Sequence, residues 1–356
     1  MRNILIYYII ERRNALKSKA IFKFGVITLS LVLVACSGGS LDEAGCPVIE
    51  DRKINVVATT PMIGEFVSQV GGDNINLTVI MPPEADPHTY EPAPQDAGTI
   101  ADADLIFYTG LKYEPAAVVK LLESSACSAD AIAEVGENVY PIEFEEGGHD
   151  DHGDHDEDGH DDEEGHDDEE GHDDHEGHDH GAYDPHFWFD PNRVAYAAEF
   201  IESKLVEFDP TNAASYESAG SAYTDELKGL IAQVSDLIST VPSQNRKLIT
   251  THESLGYLEA KFGLEVISTI IPSVDSANEI SPAQLVDVID VIEDNNIKVI
   301  FIESEAPSVY AETIVSETGI KAVEGLWVET LKTGQSYPDF LISAVELIVE
   351  NLRNTE

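Results

Sequence analysis

The sequence is poor in cysteine and in basic residues, and each shortage excludes a class of protein. Its 356 residues include three cysteines, which are too few for a disulfide scaffold or a four-cysteine zinc site. Only 20 lysines and arginines stand against 68 aspartates and glutamates, so the formal net charge is −48. Nucleic-acid binding needs clustered positive charge, and we therefore expect no nucleic-acid partner. A chain this acidic repels anions and attracts cations.

Histidine is scarce outside one short segment. Nine of the 12 histidines lie within residues 149–180, together with 18 aspartates and glutamates and no lysine or arginine. The rest of the chain contains only His88, His186 and His252. Because 42% of the residues are hydrophobic, the chain has enough apolar material for one large domain or two ordinary ones.

The short motifs of common hydrolases and nucleotide-binding proteins are also missing. The sequence contains no His-Glu-x-x-His, Gly-x-Ser-x-Gly or Walker motif. A metal-dependent hydrolase is still an alternative, because three histidines with an open zinc position suit water activation. Glu253, beside His252, is the only neighbouring candidate for its base. We expect a binding protein rather than an enzyme.

The first 35 residues have the layout of an export signal. Six basic residues and one acid precede an apolar run from Phe24 to Leu33, which ends in Leu-Val-Ala-Cys36. This layout is typical of a signal peptide, and an uncleaved membrane anchor is the alternative. The ending resembles the bacterial lipobox, which implies that Cys36 carries a lipid. We expect an extracytoplasmic protein anchored to the membrane by that lipid, in the periplasm or at the cell surface, with residues 36–52 as a flexible tether.

Export would place the two remaining cysteines, Cys46 and Cys127, in an oxidising compartment. A bond between them would tie the tether to the first lobe. Pairing requires that their Cα atoms approach closely, which the sequence does not give. A disulfide and two free thiols therefore both stay open.

Short apolar runs alternate with helical patterns, and this alternation predicts parallel βαβ units. The predicted strands are Ile54–Thr59, Leu77–Ile80, Leu105–Tyr108, Lys247–Thr251, Val266–Ile270 and Val299–Glu303. Ser281 followed by Pro282 predicts the start of a helix that runs to Asn295. We predict an α/β fold with an N-terminal lobe over 53–190, connecting helices over 191–241 and a C-terminal lobe over 242–356.

The three isolated histidines all occupy predicted loops or strand ends, where ligands of α/β sheets gather. His88 follows the second predicted strand, His186 precedes the connecting helices, and His252 ends the first strand of the second lobe. A lone histidine is more often a structural hydrogen-bonding residue, but three in such places indicate ligands. Three imidazoles suit four-coordinate zinc. The fourth ligand could be Glu303, Glu329 or water.

The segments around these histidines carry a resemblance to a known family. Pro-His88-Thr-Tyr-Glu-Pro, Asp-Pro-His186-Phe-Trp-Phe-Asp-Pro and His252-Glu-Ser-Leu-Gly-Tyr occur in this order. Nearly the whole mature chain resembles the metal-binding receptors of ATP-binding-cassette (ABC) importers, in particular their zinc (ZnuA-like) branch. The resemblance implies two Rossmann-like lobes with parallel sheets, joined by a long rigid helix, and a metal site in the cleft between them. It also implies a monomer that delivers metal to an ABC permease membrane subunit with its ATPase.

The resemblance also bears on the choice of metal and of the fourth ligand. The manganese branch has a glutamate where this chain has His252, so we expect Zn²⁺ rather than Mn²⁺. The family carboxylate near the C-terminus is usually an aspartate, and Glu329 stands in its place. Glu303 matches a family glutamate whose ordinary role is structural. We therefore rank Glu329 first, with Glu303 or water as the alternatives.

The acidic segment contains a six-residue repeat, Gly-His-Asp-Asp-Glu-Glu, beginning at Gly159 and Gly165. Like-charge repulsion and the lack of apolar residues predict a disordered loop. Its histidines could collect metal weakly near the cleft, and the alternative is a solvated spacer. The auxiliary ligands would be His149, His152, His155, His160, His166, His172, His175, His178 and His180. A surface adhesin or a metal-buffering lipoprotein is the further alternative for the whole chain.

Overall fold

The computed structural model describes residue 46, residue 49 and the ranges 52–144, 183–305 and 309–353. The expected export segment, most of the tether and the acidic insertion lie outside these residues, as do Cys36 and the nine auxiliary histidines. Within the described ranges the chain forms two α/β lobes, as expected from the alternation of strands and helices.

The N-terminal lobe is built on a four-stranded parallel sheet with strand order β2-β1-β3-β4. Its strands are β1 (Ile54–Ala58), β2 (Ile75–Val79), β3 (Leu105–Tyr108) and β4 (Ile132–Glu134). Its helices are α1 (Pro61–Gly71), α2 (Pro94–Ala101) and α3 (Ala116–Ser125). Thr60 caps α1 by accepting a hydrogen bond from the Ile63 N–H, so the chain turns into a helix directly after β1.

Two helices lead from this lobe to the next one: α4 (Pro191–Phe208) and α5 (Ala213–Ser239). Asp190 caps α4, and Asp209-Pro210 separates the two helices. With 27 residues, α5 is about 40 Å long. It is the long helix expected between the lobes.

The C-terminal lobe repeats the architecture of the first, with strand order β6-β5-β7-β8, again all parallel. Its strands are β5 (Lys247–His252), β6 (Glu265–Ile271), β7 (Val299–Glu303) and β8 (Lys321–Leu326). Its helices are α6 (Gly256–Phe262), α7 (Pro282–Asp294), α8 (Ala311–Thr318) and α9 (Tyr337–Leu352). The expected α/β fold with two parallel sheets is therefore confirmed.

Alternate residues of the central strands lie in different cores. On β1, Val56 lies in a large core that also contains residues of both lobes, whereas Val57 lies in a small core of the N-terminal lobe. On β7, Phe301 belongs to the large core and Ile300 to a separate core of the C-terminal lobe. Each sheet is thus buried on both faces, and one face of each is packed into a core that the two lobes share.

Cys46 and Cys127, which are 81 positions apart in the sequence, are disulfide-bonded, with their Cα atoms 5.4 Å apart. The bond joins the residues before β1 to the segment just after α3. Among the described residues, no helix combines the length and apolarity needed to cross a membrane.

Candidate metal centre

Four side chains from different parts of the chain converge at the carboxyl ends of the strands. His88 lies in the loop after β2, His186 just before α4, His252 at the end of β5 and Glu329 in the loop after β8. One potential ligand atom from each residue lies within 4.8 Å of the others. The edge of a parallel sheet is the usual place for a ligand site. Here the edges of both sheets contribute.

Glu329 lies at the centre of the group. Its Oε1 is 3.3 Å from Nε2 of His88, 3.4 Å from Nε2 of His186 and 2.7 Å from Nε2 of His252. The other Glu329 oxygen, Oε2, is buried without a hydrogen-bond partner, as is His88 Nε2. Buried polar atoms without partners are costly, and they indicate that this group is built to hold a ligand. Three imidazoles and one carboxylate are a donor set that suits a divalent transition metal.

Each histidine also has a carboxylate near its other ring nitrogen. Nδ1 of His186 is 2.8 Å from Asp184, and Nδ1 of His252 hydrogen-bonds Glu303. Nδ1 of His88 is 3.9 Å from Asp275. A carboxylate at Nδ1 favours the tautomer that carries its proton there, which leaves the Nε2 lone pair for a metal.

The two Asp-Pro-His segments share one hydrogen bond between the aspartate side chain and the histidine backbone. The carboxylate of Asp86 accepts a hydrogen bond from the backbone N–H of His88 at 3.0 Å, and Asp184 accepts the corresponding bond from His186 at 2.8 Å. Such a bond to the residue two positions on is typical of aspartate in tight turns. It fixes the backbone that presents each imidazole.

The charges of the group shift its pKa values strongly. Burial lowers the pKa of His186, but Glu329 and Asp184 outweigh it, and the pKa rises to about 9. Burial also opposes protonation of His252, yet the charges of Glu303 and Glu329 hold its pKa well above the usual range. Burial acts to raise the pKa of Glu329, and the attraction of the three histidines, led by His186, brings it well below the usual range. In the metal-free protein these shifts favour an imidazolium at His186 and at His252 and a carboxylate at Glu329.

The segment that carries Glu329 is held from both lobes. Glu305 accepts hydrogen bonds from the backbone N–H groups of residues 328, 329 and 330 at 3.0 to 3.3 Å. From the N-terminal lobe, Tyr113 donates to the Glu329 carbonyl and Trp188 donates to the Val328 carbonyl, each at 2.8 Å. The C-terminal lobe thus binds the N–H groups of the backbone beside the Glu329 carboxylate, and the N-terminal lobe binds its carbonyl groups.

The structure brings together four of the five residues that the sequence proposes around the metal. Glu303 lies behind His252, where it also accepts a hydrogen bond from Ser254 at 3.2 Å. Glu253, the candidate hydrolytic base, accepts a hydrogen bond from Thr269 at 3.1 Å and is not part of the four-residue group.

The residues that support the site are harder to predict from the sequence than the proposed ligands. Asp184 has a signal, because it stands two residues before His186 just as Asp86 stands before His88. Asp275, Tyr113 and Glu305 lie far along the chain from the ligands they contact, and only the fold brings them there.

Comparison with known proteins agrees with this architecture. The family model of the periplasmic zinc-uptake complex component A, ZnuA, matches residues 56–351. The manganese ABC transporter substrate-binding lipoprotein PsaA of Streptococcus mitis is 26% identical over 335 residues, which cover 90% of this chain and 95% of that relative. The iron-binding protein YfeA of Yersinia pestis is 26% identical over 343 residues, covering 96% of this chain and 98% of YfeA.

A solved structure supports the fold. The periplasmic zinc binding protein TroA from Treponema pallidum superposes with a TM-score of 0.69 at 22% sequence identity. The match covers 85% of this chain and all of TroA. At this identity the similarity concerns the fold alone.

Proposed function

This chain belongs to the ZnuA family of periplasmic zinc-uptake components, and from that membership we propose that it is an extracytoplasmic zinc receptor. It would bind one Zn²⁺ as cargo in the cleft between its lobes, with His88, His186, His252 and Glu329 as ligands. It would then deliver the ion to the membrane subunit of an ABC permease, whose ATPase drives import. The relatives named above as a substrate-binding lipoprotein and as an iron-binding protein support a receptor rather than an enzyme.

The observation that carries the proposal is the convergence of three Nε2 atoms on one buried carboxylate. A structural ion pair needs one histidine, whereas a metal site needs several donors with their lone pairs directed inward. The carboxylates hydrogen-bonded to Nδ1 of His186 and of His252 supply that direction for two of the three rings. The proposed division into lobes over 53–190 and 242–356, linked by 191–241, places these donors on both sides of one cleft.

The donor set favours zinc over manganese. Zinc binds nitrogen-rich, four-coordinate sites, whereas Mn²⁺ favours carboxylate, carbonyl and water oxygens and binds more weakly to a given site. Relatives named for manganese and for iron make the metal the main question. Competition titrations should give tighter binding of Zn²⁺ than of Mn²⁺ to the mature chain. The variant His252→Glu replaces a nitrogen donor with oxygen, so it should reduce the difference between the affinities for Zn²⁺ and for Mn²⁺.

The site itself is tested by separating it from the acidic insertion. Purified mature protein should bind about one zinc ion tightly, and a chain without residues 149–180 should retain that binding. The double variant His88→Ala/His252→Ala should lose it, because two of the four donors are gone. Tight binding that survives the double substitution would contradict the proposal.

We further propose that Cys36 carries a lipid and that the insertion collects metal weakly. Nine imidazoles and 18 carboxylates near the cleft would raise the local zinc concentration. Deletion of residues 149–180 should therefore slow zinc loading at low zinc concentration and leave the affinity of the tight site unchanged. If the deletion instead abolishes most tight binding, the chain is a metal buffer, and its cleft is not the main site.

A further inference from the structure

The four proposed ligands are not equally accessible. His186, His252 and Glu329 have no exposed surface. The side chain of His88 is 3% exposed, and it lines a cavity of about 1000 Å³ that opens to solvent between the loop after β3 and the loop that carries Asp275. The cavity gives the site an opening on the His88 side.

His88 is also held less firmly than the other two histidines. Its Nδ1 is 3.9 Å from Asp275, beyond hydrogen-bonding distance, whereas Nδ1 of His186 is 2.8 Å from Asp184. The side chain of Asp275 is 46% exposed, compared with 6% for Asp184 and 0% for Glu303. Of the three carboxylates that face an Nδ1 atom, the one at His88 is therefore the one that water solvates best.

The backbone that carries His88 is also less constrained than the backbone that carries His186 or His252. His252 ends a strand, and His186 directly precedes the turn that leads into α4. His88 lies between β2 and α2 in a stretch without a helix or strand, where Glu84 has a φ of +67°. Loops of this kind rearrange at lower free-energy cost than strand ends in a packed core.

The cavity favours the passage of a cation. Its lining includes Glu123, Glu134, Glu137 and Asp275, against Lys112 and Lys120. A cleft with an excess of one sign of charge raises the local concentration of counter-ions. The His88 side is therefore both the open side of the site and an acidic one.

We propose that His88 is the entry and exit ligand of the site: the last donor to bind an incoming metal ion and the first to leave. Asp275 is its positioning residue: at 3.9 Å from Nδ1 it acts through its charge, which attracts the imidazole towards its place over the three buried donors. This inference rests on the proposed function and adds an order of events to it. The inner group of His186, His252 and Glu329 holds the ion, while the His88 loop moves to admit or release it.

The experiment measures zinc dissociation from the detergent-solubilised mature chain, loaded with one equivalent of zinc, by stopped flow into an excess of a chromogenic chelator. His88→Ala should still bind zinc but release it at least about tenfold faster, the scale on which supporting groups affect metal sites. His186→Ala and His252→Ala should lose tight binding altogether. Protein folding of each variant is checked by circular dichroism.

Asp275→Asn tests the positioning residue. Asparagine keeps the acceptor that Asp275 Oδ1 offers to the Ala277 N–H at 2.8 Å, so the turn survives while the charge is lost. Dissociation should become about tenfold faster, and the visible spectrum of the Co²⁺-loaded protein should stay that of wild type because all four ligands remain. Glu279→Gln, at an exposed acid of the same loop, is the matched control and should release zinc at the wild-type rate.

Two results would overturn the inference and leave the receptor function intact. One is His88→Ala losing tight binding as completely as His186→Ala. The other is Asp275→Asn releasing zinc at the rate of wild type. A wild-type chain that binds no zinc tightly would instead refute the proposed function itself.

Discussion

At the residue scale, the two carboxylates nearest to His252 have different positions and should have different effects. Glu329 faces Nε2 of all three histidines, whereas Glu303 contacts Nδ1 of His252. Glu303→Gln should weaken zinc binding by about 10- to 100-fold while keeping the spectrum of four-coordinate Co²⁺, because it disturbs only the orientation of a ligand. Glu329→Gln should weaken binding more and change the spectrum. A changed spectrum in Glu303→Gln with an unchanged one in Glu329→Gln would reverse the assignment.

The pKa values of the histidines predict that metal binding releases protons. With a pKa of about 9 for His186 and a pKa well above the usual range for His252, both rings are charged at pH 7.5 in the metal-free protein. Zinc binds only the neutral rings, so each must lose a proton. Calorimetry at pH 7.5 should give binding enthalpies that differ between buffers of different ionisation enthalpy. Affinity should fall steadily as the pH drops below 9, and constant affinity between pH 6 and 9 would contradict the prediction.

At this scale, the sequence predicts the ligands better than their partners. The three histidines stand out because histidine is scarce outside the acidic insertion. Glu329 stands out because it occupies the place of the C-terminal carboxylate in the family that the sequence resembles. The motif Asp-Pro-His occurs twice, but only Asp184 also reaches the imidazole of its own histidine. The partner of His88 comes from residue 275, on another lobe, and local sequence carries no signal for such a pair.

At the scale of elements, the start of α7 is specified by its own sequence. Ser281 accepts a hydrogen bond from the backbone of Gln284, and the Gln284 side chain accepts one in return from the Ser281 N–H. Ser281→Ala should lower the free energy of unfolding by about 1 kcal/mol, measured by urea denaturation. Ser235→Ala, at an exposed position inside α5, is the matched control and should leave stability nearly unchanged. Equal effects of the two substitutions would contradict a capping role.

The strands differ in how well their sequences predict them. The central strands β1, β3, β5 and β7 are predicted to within one residue because nearly all their residues are buried, and those of β1, β3 and β7 are mostly apolar. The edge strand β4 has only three residues, and β8 includes exposed Glu324 and Gly325. Neither is predicted, because neither contains an apolar run like those that mark the edge strands β2 and β6.

At the scale of the whole molecule, the shared core should make the two lobes unfold together. Phe66 of α1 packs against Phe187 and against Tyr337 of α9, with ring centroids 6.2 and 5.3 Å apart. Tyr337 in turn donates a hydrogen bond to the Trp188 carbonyl at 2.7 Å. Scanning calorimetry should therefore give one cooperative transition rather than two. Zinc should move it to higher temperature, since ligand binding stabilises the folded state.

The matched control for that measurement is a variant that cannot bind zinc. The double variant His88→Ala/His252→Ala should also unfold in one transition, whose midpoint does not respond to zinc. Two resolved transitions in the wild-type chain would contradict a shared core. The alternation of apolar runs predicts two lobes, but not this core, because α9 and α1 lie at opposite ends of the described chain.

The disulfide between Cys46 and Cys127 sets how far the folded body can stand from the membrane. A lipid on Cys36 would leave only the ten peptide units up to Cys46 as free chain, which span at most about 36 Å when fully extended. Without the bond, the free chain would continue to the start of β1 at Ile54, and the limit would rise to about 65 Å. If Cys36 carries a lipid, the disulfide would thus roughly halve the distance over which the folded body could move away from the membrane.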